Sequence, residues 1–124
     1  MIRVLIVDDQ PAFRRQLRRL LAYAGFDVVG EAADIPAAEA LARRLRPDLA
    51  VVDVMLPGVS GLEGVGRLKA QAPDLRVMLV SACADRAAML QEAASAAGAE
   101  GFVSKDLLDV TVVRTWGQDR DQGE

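Results

Sequence analysis

Histidine is missing from all 124 residues, and cysteine occurs once, at Cys83. The first absence removes Ser-His and Cys-His catalysis, histidine metal ligands and any phosphohistidine within the chain. If histidine chemistry matters, a partner must supply it. The lone cysteine cannot close an internal disulfide and reads as a small core residue rather than a nucleophile. No apolar run is long enough to span a bilayer, and no charged-then-apolar leader follows Met1, which reads as a soluble, cytoplasmic chain. Excess positive charge is lacking too. With a net charge of -3 and a pI near 5.0, no general electrostatic grip on nucleic acid is expected. What is present, 52 % hydrophobic and 27 % charged residues, suits one globular domain able to bury a core without disulfides or metals.

Short β-branched runs alternate with longer segments of helical period, the pattern of repeated βα units around a parallel sheet. "IRVLIV" (Ile2 to Val7) is a first strand, apolar enough for burial on both faces. Pro11 opens a helix that ends at Gly25, with Phe13, Leu17, Leu20, Leu21 and Ala24 on its apolar face and arginines on the other. "DVVGEA" is a second strand, after which Asp34 caps a helix reaching Leu45. "DLAVVD" is a third strand, Gly61 to Ala72 a third helix and "RVMLVS" a fourth strand. Asp85 is expected to cap an alanine-rich fourth helix ending at Gly98, followed by the short strand "GFVS". Leu107 to Trp116 forms a last helix despite Val110, Thr111, Val112 and Val113, which are poor helix formers. The domain thus spans residues 1–117, and 118–124 read as a polar, disordered tail.

In open parallel sheets, ligands bind outside the carboxyl ends of the strands, where the strand order reverses. Asp8 and Asp9 end the first strand, Asp53 the third and Ser81 the fourth, while Lys105 follows the fifth. All should meet on one rim. Two carboxylates about 5 Å apart at an effective dielectric of about 20 repel by roughly 3 kcal/mol, so a cation is needed there. An oxygen-only ligand set favours magnesium over zinc. A lysine and a hydroxyl facing such an ion form a receptacle for a phosphoryl group, with Asp53 the natural nucleophile, since carboxylates form acyl phosphates. Each residue alone also has an ordinary structural role, as a cap or a loop residue. Their joint placement at successive strand ends is what points to a site.

The motifs "VLIVDD", "VVDVMLPGVSG", "LVSA" and "GAEGFVSKD" stand in the order of a response-regulator receiver domain of two-component signalling, which the sequence resembles from about Ile2 to Trp116. The resemblance implies a flavodoxin-like (βα)5 fold, a five-stranded parallel sheet of order 2-1-3-4-5 with helices on both faces. It implies that Asp53 accepts a phosphoryl group from a sensor kinase histidine or a phosphotransfer protein. Asp9, Asp53 and the backbone carbonyl of Met55 would bind Mg2+ directly, and Asp8 mainly through water. Lys105 would pair with phosphoryl oxygens, and Ser81 would hydrogen-bond to them. Ser81 would then move toward the phosphoryl group while Phe102 turns inward, altering the surface of the fourth helix, fifth strand and fifth helix. Partner binding, or a homodimer through that face, would follow. No enzymatic activity is expected beyond the domain's own phosphotransfer and self-dephosphorylation.

The sequence departs from the pattern where Asp106, not proline, follows Lys105; a cis bond there costs roughly 3 kcal/mol, and the sequence leaves cis and trans open. Met55 and Cys83, each two residues beyond Asp53 or Ser81, are poor at orienting water, so slow self-dephosphorylation is expected. "SKDLL" and "VVGEA" look most like receivers that precede LuxR-type DNA-binding domains, so the chain is either a stand-alone receiver acting through protein contacts or a fragment of a longer regulator. Competing readings are a phosphorylation-independent interaction module, a haloacid-dehalogenase-type phosphatase and a flavodoxin-like cofactor binder. The phosphatase lacks its second aspartate, since Met55 stands there. The cofactor binder meets anionic "DDQPA" where a phosphate loop should be.

Overall fold

The computed structural model describes residues 1–82 and 84–122. Cys83, read above as core and as a flank of the site, lies outside the described residues. Five strands, β1 (Arg3–Val7), β2 (Asp27–Ala32), β3 (Leu49–Asp53), β4 (Arg76–Ser81) and β5 (Gly101–Ser104), alternate with α1 (Pro11–Tyr23), α2 (Ile35–Leu45), α3 (Gly61–Gln71), α4 (Ala87–Ala97) and α5 (Val110–Gln122). All strand pairs are parallel, in the order β2-β1-β3-β4-β5. The expected flavodoxin-like architecture is therefore the one observed.

Alternation along the strands divides the core into two layers. Val4, Ile6, Leu49, Val51, Met78 and Val80 pack with Leu17 and Leu21 of α1 and with Val113 and Trp116 of α5. Their neighbours Leu5, Val7, Ala50, Val52, Val77 and Leu79 pack on the other face with residues of α2, α3 and α4. Every residue of β3 is buried, as expected of a central strand covered on both sides.

Caps fix several helix starts. Asp34 accepts from the Ala37 N–H at 2.9 Å, as its position suggested, and Gly25 follows α1 with φ 95°. Two starts differ from expectation. Asp85 does not cap α4: residues Ala84–Arg86 form a 3-10 turn, and Arg86 precedes the helix without a side-chain cap. The last helix begins at Val110 rather than Leu107, because Lys105–Leu107 form a 3-10 turn and Asp109 accepts from the Val112 N–H at 2.8 Å. It is assigned through Gln122. Residues 123 and 124 lie outside the described residues.

Candidate functional site at the carboxyl rim of the sheet

Strand register builds the site. Val7 pairs with Val52 and Val52 with Leu79, so Asp8 and Asp53 follow in the next row, beside Val80. Ser81 pairs with Ser104 one row further on, and Lys105 follows directly. The order reverses between β1 and β3, where the first and third helical connections leave opposite faces of the sheet and open a crevice.

Within this crevice Asp8, Asp9 and Asp53 bring carboxylate oxygens within 4.8 Å of one another. Asp8 and Asp53 are buried, 1 % and 4 % exposed, while Asp9 is exposed. The Lys105 Nζ lies 2.7 Å from Asp8 Oδ2 and 3.3 Å from Asp53 Oδ2. Backbone donors orient both acids: the Gln10 N–H donates to Asp8 Oδ1 at 2.8 Å, and the Met55 N–H to Asp53 Oδ1 at 3.0 Å. Asp8 Oδ2 has Lys105 beside it without hydrogen-bond alignment, and no other partner among the described residues satisfies it. A buried carboxylate oxygen with unused acceptor capacity, grouped with two more acids and with no histidine or cysteine among the described residues of the group, suits a hard divalent cation.

The remaining sequence-derived residues fall around this centre. Ser81 is fully buried at the end of β4. Met55 contributes its backbone to the site, while its side chain is exposed. Phe102 is buried in the layer shared with Leu79, Leu90 and Ala94, and its carbonyl accepts from Gln91 Nε2 at 2.7 Å. Its side chain therefore already faces inward. The described backbone contains no cis peptide, so the Lys105–Asp106 bond is trans; Asp106 instead accepts a hydrogen bond from the Ser104 hydroxyl.

Two supporting residues escape a reading by periodicity. Arg14 donates from Nη1 to the Asp8 carbonyl at 2.5 Å and from Nε to Glu31 at 2.9 Å, tying the end of β1 to β2. Burial of Glu31 would raise its pKa, but hydrogen bonds from Arg18 and Arg14 outweigh it and hold the carboxyl below its ordinary value. Phe13 places its ring under the Lys105 ammonium, 4.1 Å from Nζ to centroid. An arginine at one helical position and an aromatic before it are compatible with plain amphipathicity; only the three-dimensional placement shows what they touch.

Burial pushes the Asp53 carboxyl above its ordinary value, opposed by the Met55 N–H and Lys105 and assisted by the charge of Asp8. The native state then holds this proton more tightly than the unfolded chain. Asp53 therefore costs stability as pH rises from the ordinary carboxylate range through its raised native value. Asp53→Asn should be more stable than the wild type at pH 7 in the presence of a chelator, by about 1 kcal/mol, because a neutral amide escapes most of the cost of burying the charge and the smaller repulsion from Asp8. That advantage should vanish at low pH. Urea midpoints at several pH values measure it; an advantage independent of pH would show that charge is not its source.

The family model described as "Response regulator receiver domain" matches residues 4–114. A curated relative, the DNA-binding transcriptional activator DevR/DosR of Mycobacterium tuberculosis, is 41 % identical over 115 residues, covering 92 % of this chain and 52 % of that protein. The chain spans about half the length of such curated relatives. Among solved structures, a LuxR-family two-component response regulator from Aurantimonas sp. SI85-9A1 aligns with a TM-score of 0.87 and 30 % identity over 100 % of this chain and 87 % of its own. The CheX-CheY-BeF3-Mg2+ complex of Borrelia burgdorferi aligns with a TM-score of 0.84 and 25 % identity over 95 % of this chain and 87 % of that one. No helix among the described residues is long and apolar enough to cross a membrane. Matched over nearly its whole length and sharing that fold, the chain belongs to the response-regulator receiver domains of two-component systems.

Proposed function

We propose that this chain is a phosphorylation-driven switch in which Asp53 accepts a phosphoryl group from a histidine of a sensor kinase or phosphotransfer protein. The reading is carried by one observation: a buried acceptor carboxylate grouped with Asp8 and Asp9, with the Lys105 ammonium 3.3 Å from its Oδ2. Asp9, Asp53 and the Met55 carbonyl would hold Mg2+, with Asp8 acting through water. Bound there, the ion supplies positive charge that offsets the three acids and the incoming phosphoryl oxygens. A complex of a structural neighbour carries both Mg2+ and BeF3, which supports this choice of ion.

The chain's own residues supply the rest. The Met55 N–H fixes the rotation of the Asp53 carboxylate, so that one of its oxygens can face phosphorus. The new bond forms between that oxygen and phosphorus as the histidine P–N bond breaks, and the electron pair leaves with the imidazole nitrogen. Lys105 balances charge on the phosphoryl oxygens, and Ser81 hydrogen-bonds to them. The absence of histidine from this chain fits a donor on another protein.

Phosphorylation adds a dianion at the rim and biases Ser81 and the β5 segment around Phe102 toward a second packing. That shift would alter the surface of α4, β5 and α5, where an output partner, an output domain or a second copy would bind. Curated relatives twice as long fit an output domain carried in the same polypeptide. Cytoplasmic placement, beside a kinase, belongs to the same reading.

Intact mass after incubation with a small phosphoryl donor tests the proposal. The wild type should gain one phosphoryl group only when Mg2+ is present, and Asp53→Asn should gain none. Magnesium binding without any gain in mass would overturn it in favour of a phosphorylation-independent interaction module.

A further inference from the structure

We infer that Phe13 is a positioning residue for Lys105, an inference that rests on the phosphoryl-acceptor reading above. Its ring face holds the ammonium beside Asp8 and Asp53, and so sets both how strongly Lys105 competes with a divalent cation and how well it meets a phosphoryl group. The Nζ lies 4.1 Å from the ring centroid, inside the roughly 6 Å reach of a cation-π contact. Phe13 is partly buried against the α1/α5 layer, and the Lys105 side chain is only 13 % exposed, so little water screens the attraction.

Lys105 needs such a partner. Its side chain is a flexible four-carbon stem carrying a strongly hydrated point charge, and it leaves the sheet from the 3-10 turn that follows β5. Of its two carboxylate contacts, the one to Asp53 is long at 3.3 Å and the one to Asp8 lacks hydrogen-bond alignment. The strand alternation that sends Val4, Ile6, Leu49 and Val51 to the α1/α5 face places Asp8 and Asp53 on that side of the sheet, where Phe13 of α1 packs against the same layer. A ring offers the ammonium a face rather than a single acceptor. Nζ can therefore slide from Asp8 toward a phosphoryl oxygen without giving up the contact, which a hydrogen-bonding partner would not allow.

Two readings of opposite sign separate positioning from simple packing. In Phe13→Leu, which keeps an apolar side chain and removes the π face, the freed ammonium should compete less well for the carboxylates. The Mg2+ Kd, measured by calorimetry, should fall by about twofold to fivefold. The rate of phosphoryl incorporation at saturating Mg2+ should fall over the same range. Phe13→Tyr should restore both. In a Lys105→Met background, Phe13→Leu should move neither. The inference is overturned if Phe13→Leu leaves both readings unchanged, or if it weakens Mg2+ binding and slows incorporation to the same extent with and without Lys105. Should the wild type bind Mg2+ but take up no phosphoryl group, the phosphoryl-acceptor reading fails while the magnesium arm still decides the role of Phe13.

Discussion

Gly61→Ala should cost the protein about 3 kcal/mol or more and abolish phosphoryl uptake, although alanine is the better helix former. A Cβ at this position would lie 2.2 Å from the Asp53 carbonyl oxygen and 2.9 Å from both the Asp53 carbonyl carbon and the Val54 Cα. All three are backbone atoms, and none can swing aside as a side-chain tip does. Asp53 is paired with Val80 across β3 and β4, and the Val54 N–H donates to the Val80 carbonyl at 2.9 Å. The Gly61 N–H in turn donates to the Val54 carbonyl at 2.9 Å. To admit one methyl group, the start of α3 must leave the end of β3, taking the Asp53 carboxylate with it.

Gly66→Ala supplies the control in the same helix. Nothing lies within 4 Å of a Cβ built there, and the residue is exposed. Helix propensity should act alone and stabilise by roughly 0.5 to 1 kcal/mol. Denaturant midpoints of the two variants should therefore move in opposite directions from the wild type. Equal shifts would mean that the contact between the start of α3 and the end of β3 relaxes freely.

That contact marks the boundary of what the sequence makes legible. Strand ends are readable because apolar runs such as "VLIV" and "VVD" break where their first carboxylates appear, and the parallel βα pattern brings those breaks to one rim. The helix starts are less so. Asp85 has the composition of a cap but sits in a 3-10 turn, while Asp109, within what read as helix, is the residue that accepts from Val112. Four residues of poor helix propensity nevertheless lie in α5, because Val113 and Trp116 are buried against the sheet and tertiary packing outweighs local preference. Contacts made across the fold leave no periodic trace. Phe13 reads as one more apolar position of α1, and its meeting with Lys105 depends on the β5 end arriving over the first turn of that helix. Arg76 is another case: at the start of β4 it pairs with Glu100 at 2.5 Å and donates to the Trp116 carbonyl at 2.6 Å, fastening α5 to the sheet.

Lys105→Met should produce the second large effect, a loss of about 2 to 4 kcal/mol at pH 7 in the presence of a chelator. The side chain keeps its length and loses its charge, so Asp8 and Asp53, both buried, are left facing each other without the ammonium 2.7 and 3.3 Å away. Three responses identify the cause. The loss should shrink as pH falls, because a proton on one carboxyl relieves the repulsion. It should shrink in an Asp53→Asn background, where one of the two charges is already gone, giving a coupling energy well above the few tenths expected of independent sites. Saturating Mg2+ should restore much of the stability by mass action, and its Kd should be lower than in the wild type, since no ammonium competes for the same oxygens. Thermal and urea unfolding of the two single variants and the double variant at several pH values, with and without Mg2+, measure all three. A loss insensitive to pH, to Asp53→Asn and to Mg2+ would make Lys105 a packing residue whose charge is incidental, and the rim would then lack the charge balance that phosphoryl transfer requires.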